Sequence, residues 1–143
     1  VPVEDSVASL SAILMSDEYY ELVRAMSEDH GGMPVAGVGA LIPLKARAWL
    51  DLRRRRMEGG NVDEHDIRKH RNDVFRLALT LPGEAGPPVP AGVRDDLIRF
   101  LNEIPDGSEE WPAIVQALRE TVRGGLLPTP AEIRGAISAF FLL

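Results

Sequence analysis

The chain has 143 residues, 45% of them hydrophobic and 27% charged, with a formal net charge of −6 and no cysteine. That composition is the one expected of a single globular domain, and it excludes a disordered chain, disulfides and thiolate metal sites. An acidic total argues against a general nucleic-acid binder, and no apolar run approaches the roughly 18 residues of a spanning helix, so no membrane role is expected.

Helical signals dominate from the first residues. Ser6 to Met15 carries Val7, Leu10, Ile13 and Leu14 at the spacing of a short amphipathic helix, and Asp17 begins a second that reaches Met26. Gly31 to Gly39 mixes Met33, Val35 and Val38 with glycine and proline, which predicts a short extended piece near residues 33–38. Ala40 to Glu58 reads as a long helix with Pro43 in its first turn, ended by Gly59 and Gly60. A helix from Asp63 to about Leu81 follows, with Asp63 as its cap and Ile67, Val74, Leu77 and Ala78 on one face. The stretch 81–92 holds four prolines and three glycines and reads as a loop. Three helical stretches complete the chain. These are Val93 to Glu103, a segment starting at a Ser108 cap and ending at Gly124-Gly125, and one opened by a Thr129-Pro130-Glu132 capping box that carries Ile133, Ile137, Phe140 and Phe141. The expected fold is mainly α, a helical domain of about six helices. Residues 1–80 form one region, 81–92 a loop, and 93–143 C-terminal helices packed on the same domain.

Charge is unevenly placed. Lys45 to Arg76 contains ten basic and six acidic residues, a local excess of four positive charges, whereas the remainder carries six basic and sixteen acidic residues. A local anion site is therefore compatible with the acidic total. Lys45 lies inside the apolar stripe Leu41, Leu44, Ala48, Trp49 and Leu52. A lysine there either snorkels to water or meets an anion such as phosphate, because a lone ammonium is costly to bury. On the next helix Asp66, Lys69, His70 and Asp73 share one arc beside the buried face. They form either a solvated ladder of charges or one wall of a cleft, with Lys69 on a phosphate and a carboxylate near a metal or a proton. Three side chains at this spacing can meet a divalent ion, but the further ligands such a site needs are hard to find, and no metal site is assigned. Arg53 to Arg56 sits at a helix C-terminus, which explains its charge through the helix dipole. Four consecutive positions also wrap around the helix rather than presenting one flat face, and a contact with RNA or a nucleotide is the alternative reading. Phosphate-loop, serine-hydrolase, zinc-protease and dinucleotide glycine motifs are absent.

The string Leu41-Ile42-Pro43-Leu44-Lys45-Ala46-Arg47-Ala48-Trp49-Leu50-Asp51-Leu52, with Gly59-Gly60-Asn61-Val62-Asp63 and Asp66-Ile67-Arg68-Lys69-His70-Arg71-Asn72-Asp73-Val74-Phe75-Arg76-Leu77, resembles the C-terminal region of bacterial nucleotidyltransferase-like proteins of the AbiEii/AbiGii abortive-infection toxin type. Leu10 to Leu14 and Tyr19-Tyr20 resemble the stretch leading into it, so the likeness covers about Ser6 to Leu77. It implies a polymerase-β-like palm upstream, where a Gly-Ser or Gly-Gly element and an Asp-x-Asp pair hold Mg2+ and a nucleotide triphosphate. It also implies nucleotide contacts from Lys45 and Lys69 and a supporting catalytic role for Asp73, with Asp66 and His70 as further candidates. His70 stands where that element more often has aspartate.

No Asp-x-Asp occurs in the 143 residues, and the one Gly-Ser, Gly107-Ser108, lies far downstream. Because nucleotidyl transfer depends on positioned metal ions, the chain is expected to be inactive alone. Val1 in place of methionine fits a piece of a longer protein, and Mg2+ and nucleotide triphosphate are expected only together with an N-terminal part. The absence of cysteine makes a reducing cytoplasmic setting the simplest expectation, and the resemblance implies an RNA or other acceptor and an antitoxin or other protein partner. The rival reading is a non-enzymatic helical module that binds an antitoxin or subunit.

Overall fold

The computed structural model describes residues 16–27 and 37–143. The helix expected at Ser6 to Met15 and most of the extended piece near 33–38 lie outside the described residues. Among those described there are six helices and no strand: α1 (Asp17–Ser27), α2 (Val38–Met57), α3 (Glu64–Ala78), α4 (Ala91–Glu103), α5 (Trp111–Thr121) and α6 (Pro130–Phe141). The fold is mainly α. No helix among the described residues is long and apolar enough to cross a membrane.

α2 is the central helix. It buries Ala40, Ile42, Leu44, Ala46, Ala48, Trp49 and Leu52 over most of its circumference, because α1, α3 and α4 all pack against it. It begins at Val38, two residues before the expected start, so Pro43 falls in the second turn rather than the first. Pro43 has no N–H to donate to the carbonyl of Gly39, so the helix lacks that bond, and the proline itself is buried. The other end closes in a Schellman motif. Gly59, at φ +86°, donates to Arg56 at 3.0 Å, and Gly60 donates to Arg55 at 2.8 Å. Both glycines are required: the first by its left-handed backbone, the second because a Cβ would stand 2.8 Å from the Arg55 carbonyl oxygen.

That turn sends α3 back along α2. Asp63 caps α3 by accepting from the His65 N–H at 2.8 Å, and Glu64 and Asp66 complement the helix dipole in the first turn. α5 and α6 then pack on α3, while α4 packs on α1 and α2. An aromatic chain runs through the core. Trp49 meets Phe100 at 5.1 Å between ring centroids, Phe100 meets Phe75 at 5.5 Å, and Phe75 meets Trp111 at 4.8 Å. Such spacings add to the stabilisation from burial alone.

Two N-termini bear on the expected caps. Thr129 and Glu132 form the reciprocal capping box of α6, with bonds of 3.2 and 3.1 Å. Ser108 does not cap α5, which has Glu110 at its N-cap without a side-chain bond. Its hydroxyl accepts from the Glu110 N–H at 3.2 Å instead, closing a turn just before the helix. Trp111 competes for the position of that first turn, because its indole N–H donates to the Pro105 carbonyl at 2.8 Å and fixes where α5 starts.

Candidate functional site

The apolar stripe on α2 carries Lys45 to the interface with α3, where an isolated ammonium would be costly. The partner is Asp73: Lys45 Nζ lies 3.2 Å from Asp73 Oδ2, with side chains 22% and 17% exposed. The other carboxylate oxygen, Oδ1, accepts from Arg76 Nη1 at 2.6 Å, and Arg76 Nε donates to Thr121 Oγ1 of α5 at 2.8 Å. Asp73 thus bridges a cation from each of two helices. Removing it leaves both without a carboxylate.

One turn before Asp73, His70 is only 2% exposed, and its Nδ1 is buried without a hydrogen-bond partner. Burial lowers the His70 pKa, and the Lys45 ammonium lowers it further; Asp73 and Asp66 pull the other way, and Lys69 adds a small lowering. The other four residues named from the sequence therefore all act on His70. They do not all touch. Lys45 and Asp73 make direct contact, whereas Lys69 is exposed and has no ion pair among the described residues. Lys69 is four residues before Asp73, close enough to pair in principle, but both Asp73 oxygens are already held by Lys45 and Arg76.

Two buried polar features were not singled out from the sequence. Asp96 of α4, buried beside Val93, Leu97 and Phe100, accepts the Tyr19 hydroxyl at 2.7 Å and Arg47 Nη1 at 3.1 Å on each oxygen. Arg47 also pairs with Asp51 at 3.2 Å, so one carboxylate joins α1, α2 and α4. Burial first, and the adjacent Asp96 second, push the Tyr19 hydroxyl above its usual pKa and keep it a donor. The second feature is Arg71, buried on α3 with Nη1 3.0 Å from Glu110 and Nε 3.1 Å from Asn72. The available signal was a charge at apolar spacing, Asp96 between Val93 and Phe100 and Arg71 between Ile67 and Val74, the same pattern that drew attention to Lys45.

A phosphate on Lys45 would share or replace Asp73, a chemically ordinary exchange of carboxylate for phosphate. A metal fits less well. Both Asp73 oxygens face cations, and no group of three or more His, Asp or Glu side chains among the described residues is arranged to hold an ion. Mg2+ would need carboxylates from elsewhere. No family model, no curated protein and no solved structure matches this chain.

Proposed function

We propose that the chain is the C-terminal helical part of a nucleotidyltransferase-like protein of the AbiEii/AbiGii type, contributing a nucleotide-phosphate contact from Lys45 and inactive without an upstream palm. One observation carries the reading: the single lysine in the α2 stripe meets Asp73 of α3 at 3.2 Å, joining the two halves of the family-like string at one point. In this role Asp73 is a positioning residue, holding the ammonium at the helix interface until a phosphate competes for it. Lys69, exposed on the same helix, supplies a second cation for the outer phosphates, with His70 and Asp66 between. The metal-bound triphosphate itself belongs to the Asp-x-Asp carboxylates of the palm, which supply the charge neutralisation that the transfer step needs.

The test is a nitrogen-15 NMR titration of the chain with each nucleoside triphosphate and Mg2+. Weak, saturable shifts clustered on α2 around Lys45 and on α3 around residues 66–73 are expected, with loss on Lys45→Ala. Shifts that persist unchanged in Lys45→Ala, or that cluster elsewhere, would remove the proposal. The rival module reading is favoured by one feature. Leu126 is wholly exposed and Val122 partly so in the loop after α5, an apolar edge suited to a protein partner.

A further inference from the structure

The arginines at the end of α2 wrap around the helix, yet the fold gives two of them a shared destination. Arg53 and Arg56, one turn apart, line a cavity of about 520 Å3, and its opposite wall carries Arg68 and Arg71 of α3, also one turn apart. Two (i, i+3) pairs thus face each other across one depression. Glu64 and Glu110 are the only acids lining it. Arg56 and Arg68 both rest on Glu64, and Arg71 is buried against Glu110 at 3.0 Å. Arg53 lies over the Trp49 ring, 4.5 Å from its centroid, and reaches Glu103 at 3.0 Å. With Glu103 counted as the partner of Arg53, four guanidinium groups meet three carboxylates, which leaves an excess of one positive charge on a chain whose net charge is −6.

We infer that this cavity is a binding groove for a phosphodiester strand, a single-stranded nucleic acid held by Arg53, Arg56 and Arg68 over a floor made by Arg71. Guanidinium forks match phosphate oxygens in pairs, and Glu64 occupies the position a phosphate would take between Arg56 and Arg68. A strand is favoured over a single phosphate because the depression continues. A second cavity of about 570 Å3 shares Arg53 and Met57 with the first and adds Arg47, Arg54 and Arg99 against Asp51, Glu58 and Glu103, so its lining also carries more positive than negative charge. Met57, 83% exposed between the two, offers an apolar contact to a base or sugar. The acidic remainder of the chain repels polyanions and confines binding to this groove. None of the residues used here belongs to the Lys45 site, so the inference stands apart from the nucleotide reading.

The experiment is fluorescence anisotropy of the full chain with a labelled uridine oligonucleotide of about ten nucleotides, a length within the usual range for single-strand sites, between 50 and 200 mM KCl. Three phosphate contacts on a single strand give a slope of log affinity against log salt of about −2. Arg56→Gln with Arg68→Gln, two half-exposed side chains whose loss leaves the core intact, should weaken binding about tenfold and flatten the slope by about 1.4. Glu64→Gln should strengthen binding several-fold, because it removes the internal competitor. Arg119→Gln with Arg123→Gln, on the loop side of α5, should change nothing, and neither should Lys45→Ala. The inference is overturned by an absence of binding, by equal weakening in the Arg119/Arg123 variant, or by a glutamate decapeptide competing as well as an unlabelled oligonucleotide, which would identify an acidic protein as the occupant.

Discussion

Replacing Tyr19 by Phe removes one hydroxyl and leaves the ring that packs in the core, so it isolates the bond to Asp96. That bond is 2.7 Å long, buried and charge-assisted, a class worth about 1.5–3 kcal/mol. Arg47 keeps its contacts of 3.1 Å to both Asp96 oxygens in the variant, so the carboxylate is not stranded and the loss belongs at the low end, about 1.5 kcal/mol. Asp96→Ala is more damaging, because it leaves the Tyr19 hydroxyl buried without an acceptor and returns Arg47 to Asp51 alone. About 3 kcal/mol is expected for it. The double variant should lose less than the sum of the two singles by about 1–2 kcal/mol. Urea unfolding followed by circular dichroism gives all four stabilities, and hydrogen exchange should show the loss of protection concentrated in α1. If Tyr19→Phe lies within about 0.5 kcal/mol of the parent, or if the two singles add without coupling, Asp96 is not the fastening of α1.

The remaining predictions concern α3 and the loop after it. His70 has a folded-state pKa below its unfolded value near 6.5, so its contribution to stability is fully present above that pH and is lost as pH falls through the folded value. Between those two values the chain should lose stability on acidification, with a slope of at most about 1.4 kcal/mol per pH unit from this group. His70→Leu should flatten that slope. At pH 7 the variant should be no less stable than the parent, because the buried Nδ1 that it removes has no partner. An unchanged slope in unfolding curves from pH 7 to 5 would count against this. Gly86→Ala places a Cβ 2.5 Å from Cζ of the Phe140 ring, itself held edge-on by Phe141 at 4.9 Å between centroids. About 1–3 kcal/mol of destabilisation is expected from such overpacking, and a variant with parental thermal stability would show that the ring moves aside freely.

The helices were legible because periodicity, caps and breakers agreed locally: Asp63, Gly59-Gly60 and the Thr129 box act where their residue types predict. Pro43 and Ser108 misled at helix starts for a common reason. Tertiary burial of α2 extends that helix two residues upstream, and the Trp111 bond to Pro105 sets the start of α5, and neither contact is local in sequence. At the candidate site, the need for an anion beside Lys45 was readable from its stripe, but the identity of that anion was not. Asp73 shares its arc with Asp66, and only the α2–α3 turn decides which carboxylate arrives. The same limit hid Asp96. Its burial depends on a tyrosine 77 residues away.

The fastening of Gly86 to the last helix, through its N–H bond of 2.9 Å to the Phe140 carbonyl, has a bearing on how this sequence can be divided. The proline-rich stretch looks like a natural place to cut, and the family-like string ends just before it. Yet the stretch is tied to the chain's final turn, and the ring chain from Trp49 through Phe100 and Phe75 to Trp111 crosses it repeatedly. A fragment ending at residue 80 would present to water the faces of α2 and α3 that α4, α5 and α6 now cover. Any engineered chimera carrying the Leu41–Leu77 string must therefore bring its own lid for those faces.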